Sequence, residues 1–420
     1  MTGTFADLGL SPALTRAAGI RGLIVPTAIQ VAAIPAVLRG QDVLGRAQTG
    51  SGKTAAYVLP LLQRLTSARS ETPRRLRALM LAPTRELAVQ IGELVQAIAR
   101  TLPQPIKTVI AYGGISVNPQ MMDLRGGADV VIATPGRLLD LLDRNALKLD
   151  DVQMLVLDEA DRLLDLGFAD ELRRILSRLP AFRQSLLFSA TFADEVLALA
   201  DQLLMNPTRI DVASARTADV PAIVQRTIHV DASRRGDLLT RLIHDGGWTR
   251  ALVFVATQHE AEQLAWRLCH VGIKAAPFHG ELSQRKRTNA LADLNSQALQ
   301  IVVATDVAAR GLDIPQLPVV VNYDLPRSAD DYVHRIGRTG RAGESGLAIS
   351  FVSAATEAHF RLIEKRNQLR LPREVIAGFE PRETAAPAPV ASTGGGIKGK
   401  RPSKKDKLRA AAAAAGKSEG

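Results

Sequence analysis

The sequence predicts an α/β protein: two tandem domains built on parallel sheets, joined by a linker and followed by a basic tail. Three observations carry this reading. Short apolar runs alternate with helical patterns along most of the chain. Most of these runs are apolar on both faces, as strands covered by helices on both sides require. The length, 420 residues, suits two domains and a tail at roughly 100–200 residues per domain.

In the first half the strand candidates are residues 42–45, 78–81, 108–111, 129–132, 154–157 and 185–188, with helical stretches such as 85–100 and 169–179 between them. The second half repeats the rhythm, with strand candidates at 251–255, 274–277, 301–304, 319–322 and 346–351. Between the halves, residues 206–222 hold two prolines and no clear period. This places the first domain at 1–208, a linker at 209–222 and the second domain at 223–384. From Ala385 the composition changes to Ala-Pro repeats, three glycines and a basic segment. Residues 385–420 carry eight Lys/Arg and two Asp/Glu, a net +6 of the chain's +11. Such a tail is expected to be disordered, either as a solubilising extension or as an arm that holds nucleic acid non-specifically.

Apolar residues make up 46% and aromatics 4%, so the cores should be mostly aliphatic. The single cysteine, Cys269, excludes an intramolecular disulfide and fits a reducing cytoplasm. Cys269-His270 as half of a metal site lacks a second cysteine, and a packed helix residue is the simpler reading. No apolar stretch approaches the ~18 residues of a membrane span, and no signal peptide is read at the N-terminus. The strong basic balance, with a pI of about 10.1, points to a polyanionic partner.

The chemistry begins at Ala47-Gln48-Thr49-Gly50-Ser51-Gly52-Lys53-Thr54, which follows a strand candidate and opens a helical stretch. It is the phosphate-cradle pattern with Ala47 in place of the first glycine. Gly50 and Gly52 let backbone N–H groups turn toward phosphate oxygens, and the helix N-terminus adds its dipole. Lys53 can bridge the β- and γ-phosphates, and the Thr54 hydroxyl can ligate Mg²⁺. Such a cradle needs a carboxylate at the end of another buried strand to hold the metal. Asp158, directly after Met154-Leu155-Val156-Leu157, is in that place. Glu159 is next and can orient or deprotonate the attacking water. Asp161 is further along and is expected to pair with a basic or hydroxyl group.

Asp158-Glu159-Ala160-Asp161 also carries a family resemblance: it resembles the signature of the DEAD-box ATP-dependent RNA helicases. Pro83-Thr84-Arg85-Glu86-Leu87, Gly113-Gly114, Thr134-Pro135-Gly136-Arg137 and Ser189-Ala190-Thr191 match the family's other first-domain motifs in order. In the second half Val253-Phe254-Val255, Gln284 with Arg287, Ala304-Thr305-Asp306 through Arg310-Gly311-Leu312-Asp313, and the segment from His334 to Arg341 continue the set. The match covers roughly residues 5–365, and its first-domain phrasing resembles the bacterial RhlE-like branch.

The resemblance implies two RecA-like domains, ATP and Mg²⁺ as ligands, and RNA as partner. Lys53, Asp158, Glu159, Arg338 and Arg341 would be catalytic, the two arginines reaching the γ-phosphate from the second domain. Phe5, Gln30, Thr49, Gly50, Ser51, Gly52, Lys53, Thr54 and Asp313 would bind the nucleotide, with Gln30 reading the adenine edge and Thr54 and Asp158 holding the metal. Thr84, Arg85, Gly114, Thr134, Arg137 and Thr305 would line the RNA backbone. Asp161, Ser189, Thr191 and His334 would couple the domains. Two residues depart from the pattern: Leu23 stands where an aromatic is usual and Ala28 where proline is usual. Leucine packs on a purine face without aromatic stacking, so adenine affinity is expected to be weaker while selectivity through Gln30 survives.

The expected function is an RNA-dependent ATPase that unwinds short duplexes or remodels RNA–protein complexes with little sequence preference. The alternatives are an ATP-gated RNA clamp or annealing chaperone, and a DNA-directed helicase on the same plan.

Overall fold

The computed structural model describes residues 3–47, 50–67, 73–212, 223–309, 317–340 and 346–383. Its strands are β1 (Val43–Arg46), β2 (Ala78–Leu81), β3 (Thr108–Ala111), β4 (Val130–Ala133), β5 (Met154–Leu157), β6 (Gln184–Ser189) and β7 (Thr208–Asp211), then β8 (Ile223–His229), β9 (Ala251–Val255), β10 (Ala275–Phe278), β11 (Ile301–Thr305), β12 (Val319–Asn322), β13 (Gly346–Val352) and β14 (Arg373–Glu374). They form two seven-stranded sheets, in the order β3-β4-β2-β5-β6-β1-β7 and β10-β11-β9-β12-β13-β8-β14. Every strand pairing within them is parallel. The two sheets are the centres of two RecA-like lobes, and residues up to Arg382 form one compact unit.

The side-chain alternation of the strands builds the core. Met80, Val130, Val156 and Leu186 face one apolar layer, while their neighbours Leu79, Val131, Leu155 and Leu187 face the other. In the second lobe Val253, Val303 and Val321 face one layer, and Leu252, Val302 and Val320 the other. Helices cover both faces, and for this reason the central strands read as uninterrupted apolar runs.

β7 pairs with β1 through Arg209, Ile210 and Asp211. The first sheet therefore extends past the expected boundary at residue 208, into the segment read as linker. The reason is legible: only Ile210 of this edge strand is buried, so the segment has no apolar run to announce it. β8 and β14 escape a periodicity reading for the same reason. In β8 the buried positions are confined to Thr227 and Ile228. Residues 213–222 and the tail 385–420 lie outside the described residues.

Because all strands run the same way, the segments that follow them gather along one edge of each sheet. In the first lobe the phosphate-cradle segment follows β1, Thr84 follows β2, Gly114 follows β3, Thr134 follows β4, Asp158 follows β5, and Thr191 follows β6. Residues spread over more than a hundred positions are thus brought to one rim.

Candidate active site and nucleic-acid interface

The cradle is built around Gly52, which has φ +90° and caps the helix Lys53–Thr66. A Cβ there would lie 2.4 Å from Gln30 Nε2, so glycine is required both by backbone and by space. Gln30 is buried, and its Nε2 donates to the Gly52 carbonyl at 3.1 Å while its Oε1 accepts from the Thr27 N–H at 2.9 Å. The glutamine expected to read adenine thus also ties its own helix to the cradle. Leu23 is half-buried against the first-lobe core, and Phe5 is packed within that core, only 2% exposed. Thr49 lies outside the described residues.

Lys53 leaves the cradle pointing into the protein. Its side chain is buried and its Nζ has no hydrogen-bond partner, and the same is true of Glu159 Oε2. Two buried, unpaired polar atoms of opposite charge are costly unless a ligand satisfies them. A triphosphate offers acceptors to the lysine, and a water offers a donor to the carboxylate, so the residues present fit a nucleotide and its attacking water.

Asp158 and Glu159 sit on the turn between β5 and the short helix Ala160–Asp165. Glu159 adopts φ 50°, ψ 54°, the left-handed region. A non-glycine residue held there costs on the order of 1 kcal/mol or more, and such strain marks sites where a side chain has to be aimed. Burial pushes the Glu159 carboxyl up. Lys53 opposes that shift, Asp158 adds to it, and Arg338 and Arg162 oppose it. Arg338, from the second lobe, therefore acts electrostatically on a first-lobe carboxylate.

Asp158 Oδ2 accepts from the Tyr57 hydroxyl at 2.7 Å and Oδ1 from the Glu159 N–H at 2.9 Å. Tyr57 is fully buried, and burial pushes its phenol well up, with the Asp158 charge helping. The phenol is thus a neutral donor. Sequence reasoning missed this residue, because a tyrosine three positions after Thr54 reads as core packing. Among the described residues no group of three or more His, Cys, Asp or Glu can hold a metal. A cation at Asp158 would take its remaining ligands from Thr54, water and phosphate, as Mg²⁺ does in phosphoryl-transfer sites.

Asp161 is placed by backbone amides: Oδ2 accepts from Ala190 N–H at 3.2 Å and Oδ1 from Arg162 N–H at 3.0 Å. Its partner is thus the main chain of the Ser189-Ala190-Thr191 segment, where a basic or hydroxyl side chain was expected. The bridge to the other lobe is made by the next residue. Arg162 contacts His334 and lies 3.6 Å from Asp331. A second bridge joins Glu86 to Arg287 at 2.9 Å and to Gln284 at 3.2 Å. Arg287 and Glu86 are both nearly buried, with side chains 7% and 9% exposed.

The second lobe's arginines divide by geometry. Arg335 is buried, donates from Nη2 to Asp306 at 2.7 Å and from Nη1 to Asn322 at 3.1 Å, and stacks 4.8 Å from the Phe254 ring. Its hydrogen bonds to Asp306, Asn322 and the Asp324 carbonyl all lie within its own lobe. Arg338 lines the interlobe cavity with Arg162, Asp306, Asp331 and His334. Arg341 and Asp313 lie outside the described residues.

On the first lobe a cleft of about 340 Å³ is lined by Arg85, Gly113, Thr134, Gly136, Arg137, Asp140 and Phe168. Arg137 donates from Nη2 to the Ile115 carbonyl at 2.7 Å, while its buried Nη1 has no partner. Gly114 has φ +79°, and a Cβ there would lie 2.0 Å from Arg85 Nη2. Glycine lets the Arg85 guanidinium lie against this loop. Thr84 caps the helix Arg85–Ala99, accepting from Leu87 N–H, and Thr134 begins the helix Pro135–Asp143. Thr305 ends β11 in the second lobe and is nearly buried. The cleft combines guanidinium groups with small polar residues and helix N-termini, which suits a phosphodiester backbone.

Fold and site together define a two-lobed P-loop nucleotide hydrolase in which Arg338 of the second lobe lies close to Glu159 of the first. Residues 27–199 match the DEAD/DEAH box helicase family model, and residues 234–343 match the helicase conserved C-terminal domain. The chain is 42% identical over 390 residues to the ATP-dependent RNA helicase DeaD of Mycobacterium tuberculosis, covering 93% of this chain and 68% of that protein. It is 40% identical over 388 residues to the ATP-dependent rRNA helicase rrp3 of Sclerotinia sclerotiorum, covering 91% and 79%. The solved structure of S. cerevisiae Dbp5 bound to RNA and ADP BeF3 superposes with a TM-score of 0.79 at 32% identity, covering 89% of this chain and 95% of that one. The chain belongs to the DEAD-box family of ATP-dependent RNA helicases.

Proposed function

We propose that this chain is an RNA-dependent ATPase that hydrolyses ATP in the seam between its lobes and thereby opens short RNA duplexes or remodels RNA–protein complexes. The observation that carries this reading is the convergence on Glu159 of Lys53 from the cradle and Arg338 from the opposite lobe.

In this reading Lys53 neutralises the β- and γ-phosphates while Gly50, Ser51 and Gly52 offer backbone N–H groups. Gln30 keeps one Nε2 proton for the adenine edge beyond its bond to Gly52. Asp313 completes the nucleotide site at the ribose, while Phe5, packed within the first-lobe core, offers no open ring face to the base. Thr54 and Asp158 would hold Mg²⁺, which would supply positive charge to offset that of the phosphate oxygens. Glu159 orients the attacking water and accepts its proton. Arg338, with Arg341, stabilises charge on the transferring group. Arg85, Arg137, Thr84, Gly114, Thr134 and Thr305 hold RNA phosphates and sugars, which positions a strand without reading its sequence. The bridges Glu86–Arg287 and Arg162–Asp331 span the lobes, and ATP and RNA, each contacting residues of both lobes, favour the closed form. By linkage, RNA tightens ATP binding by the factor with which ATP tightens RNA binding.

No helix among the described residues is long and apolar enough to cross a membrane. The same reading places the protein's work in the cytoplasm, in keeping with its single free cysteine.

The deciding test compares ATP hydrolysis by the full chain alone, with single-stranded RNA, and with single-stranded DNA of equal length. RNA should stimulate and DNA should not; equal stimulation by DNA would overturn the RNA assignment and favour a DNA-directed helicase. If RNA stimulates turnover but duplexes anneal rather than open, the annealing-chaperone reading takes its place. Separately, Lys53→Ala should weaken nucleotide affinity by roughly 10²-fold or more, as loss of one partner of a buried charge pair typically does. Wild-type affinity in equilibrium binding would remove Lys53 from the cradle.

A further inference from the structure

We propose that Tyr57 is a positioning residue for the divalent cation: its hydroxyl holds the Asp158 carboxylate, so this ligand is oriented before the cation arrives. This rests on the reading that Thr54 and Asp158 hold Mg²⁺.

Tyr57 lies three residues after Thr54 on the helix Lys53–Thr66, and residues at that spacing share a helix face. Its ring packs with Phe188 at 5.3 Å, the two planes tilted by 41°. The ring thus reads as core, and a phenylalanine would fill the same space. The hydroxyl is what the core does not need. A buried phenol requires a partner, and here it takes the Asp158 carboxylate at 2.7 Å. The phenol therefore ends on a carboxylate assigned to the metal.

The contact leaves the carboxylate competent. Asp158 Oδ2 bonds Tyr57 and Oδ1 bonds the Glu159 N–H, and a carboxylate oxygen has two lone-pair sites. Each oxygen keeps one for a cation or its water. Without the phenol, only the Glu159 N–H on Oδ1 restrains the last torsion of the Asp158 carboxylate, and the cation must complete its ordering on binding. Partners of this kind typically change metal affinity by about 10–100-fold when removed.

The test uses the full chain with Tyr57→Phe, which keeps the ring and removes only the hydroxyl. A fluorescent ADP analogue is titrated at increasing Mg²⁺ and again in EDTA, and Mn²⁺ binding is followed by electron paramagnetic resonance. The Mg²⁺ concentration that half-saturates nucleotide binding should rise about 10-fold, Mn²⁺ should bind correspondingly more weakly, and affinity in EDTA should match wild type. An unchanged Mg²⁺ requirement would overturn the proposal. So would an equal loss of affinity in EDTA, since the hydroxyl would then be supporting the cradle rather than the cation. Asp158→Asn separates this from the reading beneath it. If that variant also keeps the wild-type Mg²⁺ requirement, the metal assignment itself fails. If it raises the requirement while Tyr57→Phe does not, only the role of Tyr57 is lost.

Discussion

Arg338→Ala is expected to lower RNA-stimulated ATP hydrolysis by about 10³-fold, the lower end of the effect that a trans-acting arginine has in other nucleotide hydrolases. The expectation comes from placement. Arg338 follows the helix Ala329–Ile336 and is 5% exposed, lining the cavity between the lobes. Its charge acts on Glu159, a residue of the other lobe. Removing it should leave nucleotide binding to the first lobe almost unchanged, because Lys53, Gly52 and Thr54 all lie there. The loss should therefore fall on turnover, measured with saturating RNA and ATP. Turnover within a few-fold of wild type would mean that the second lobe completes the site in some other way. Arg335 is the contrasting residue three positions earlier. Its ion pair with Asp306 and its stack on Phe254 are internal to the second lobe, so a loss there reports on folding and not on chemistry.

Glu159→Gln should slow hydrolysis by about 10²–10⁴-fold, the usual contribution of a positioned general base, while ATP and RNA still bind and still close the lobes. Glutamine keeps the shape and can still orient a water, but it cannot take the proton. The variant should also be no less stable than wild type. Burial is the largest influence on this carboxyl and disfavours its charge, and that penalty disappears in the neutral amide. Single-turnover hydrolysis, nucleotide affinity and a thermal melt together make the check. Normal turnover would exclude Glu159 as the base. A melt at markedly lower temperature would show that its attraction to Lys53 and Arg338 outweighs its desolvation.

The strands that were easiest to read were the buried ones. β2, β5, β9 and β12 appear in the sequence with their observed limits, because a strand covered on both faces has to be apolar throughout. The edge strands β7 and β14 are short and half solvated, and nothing in Thr208-Arg209-Ile210-Asp211 distinguishes them from linker. The site divides in the same way. Lys53, Thr54, Asp158 and Glu159 stood out as candidates because phosphate and metal chemistry calls for those residue types at the ends of strands. Tyr57 did not, since its ring obeys core rules and only its hydroxyl meets Asp158. Arg162 was equally hidden: a charge on a short helix reads as solvated, yet its side chain is 5% exposed and bridges to Asp331 of the other lobe.

By itself, then, the amino-acid order determined that two parallel-sheet lobes form and which segments carry phosphate chemistry, since burial and backbone approach constrain residue type locally. Tertiary structure alone decided which arginine faces Glu159, which one braces its own lobe, and which tyrosine bonds Asp158. Those choices depend on distances between residues remote in the chain, and a side chain's type leaves such distances open.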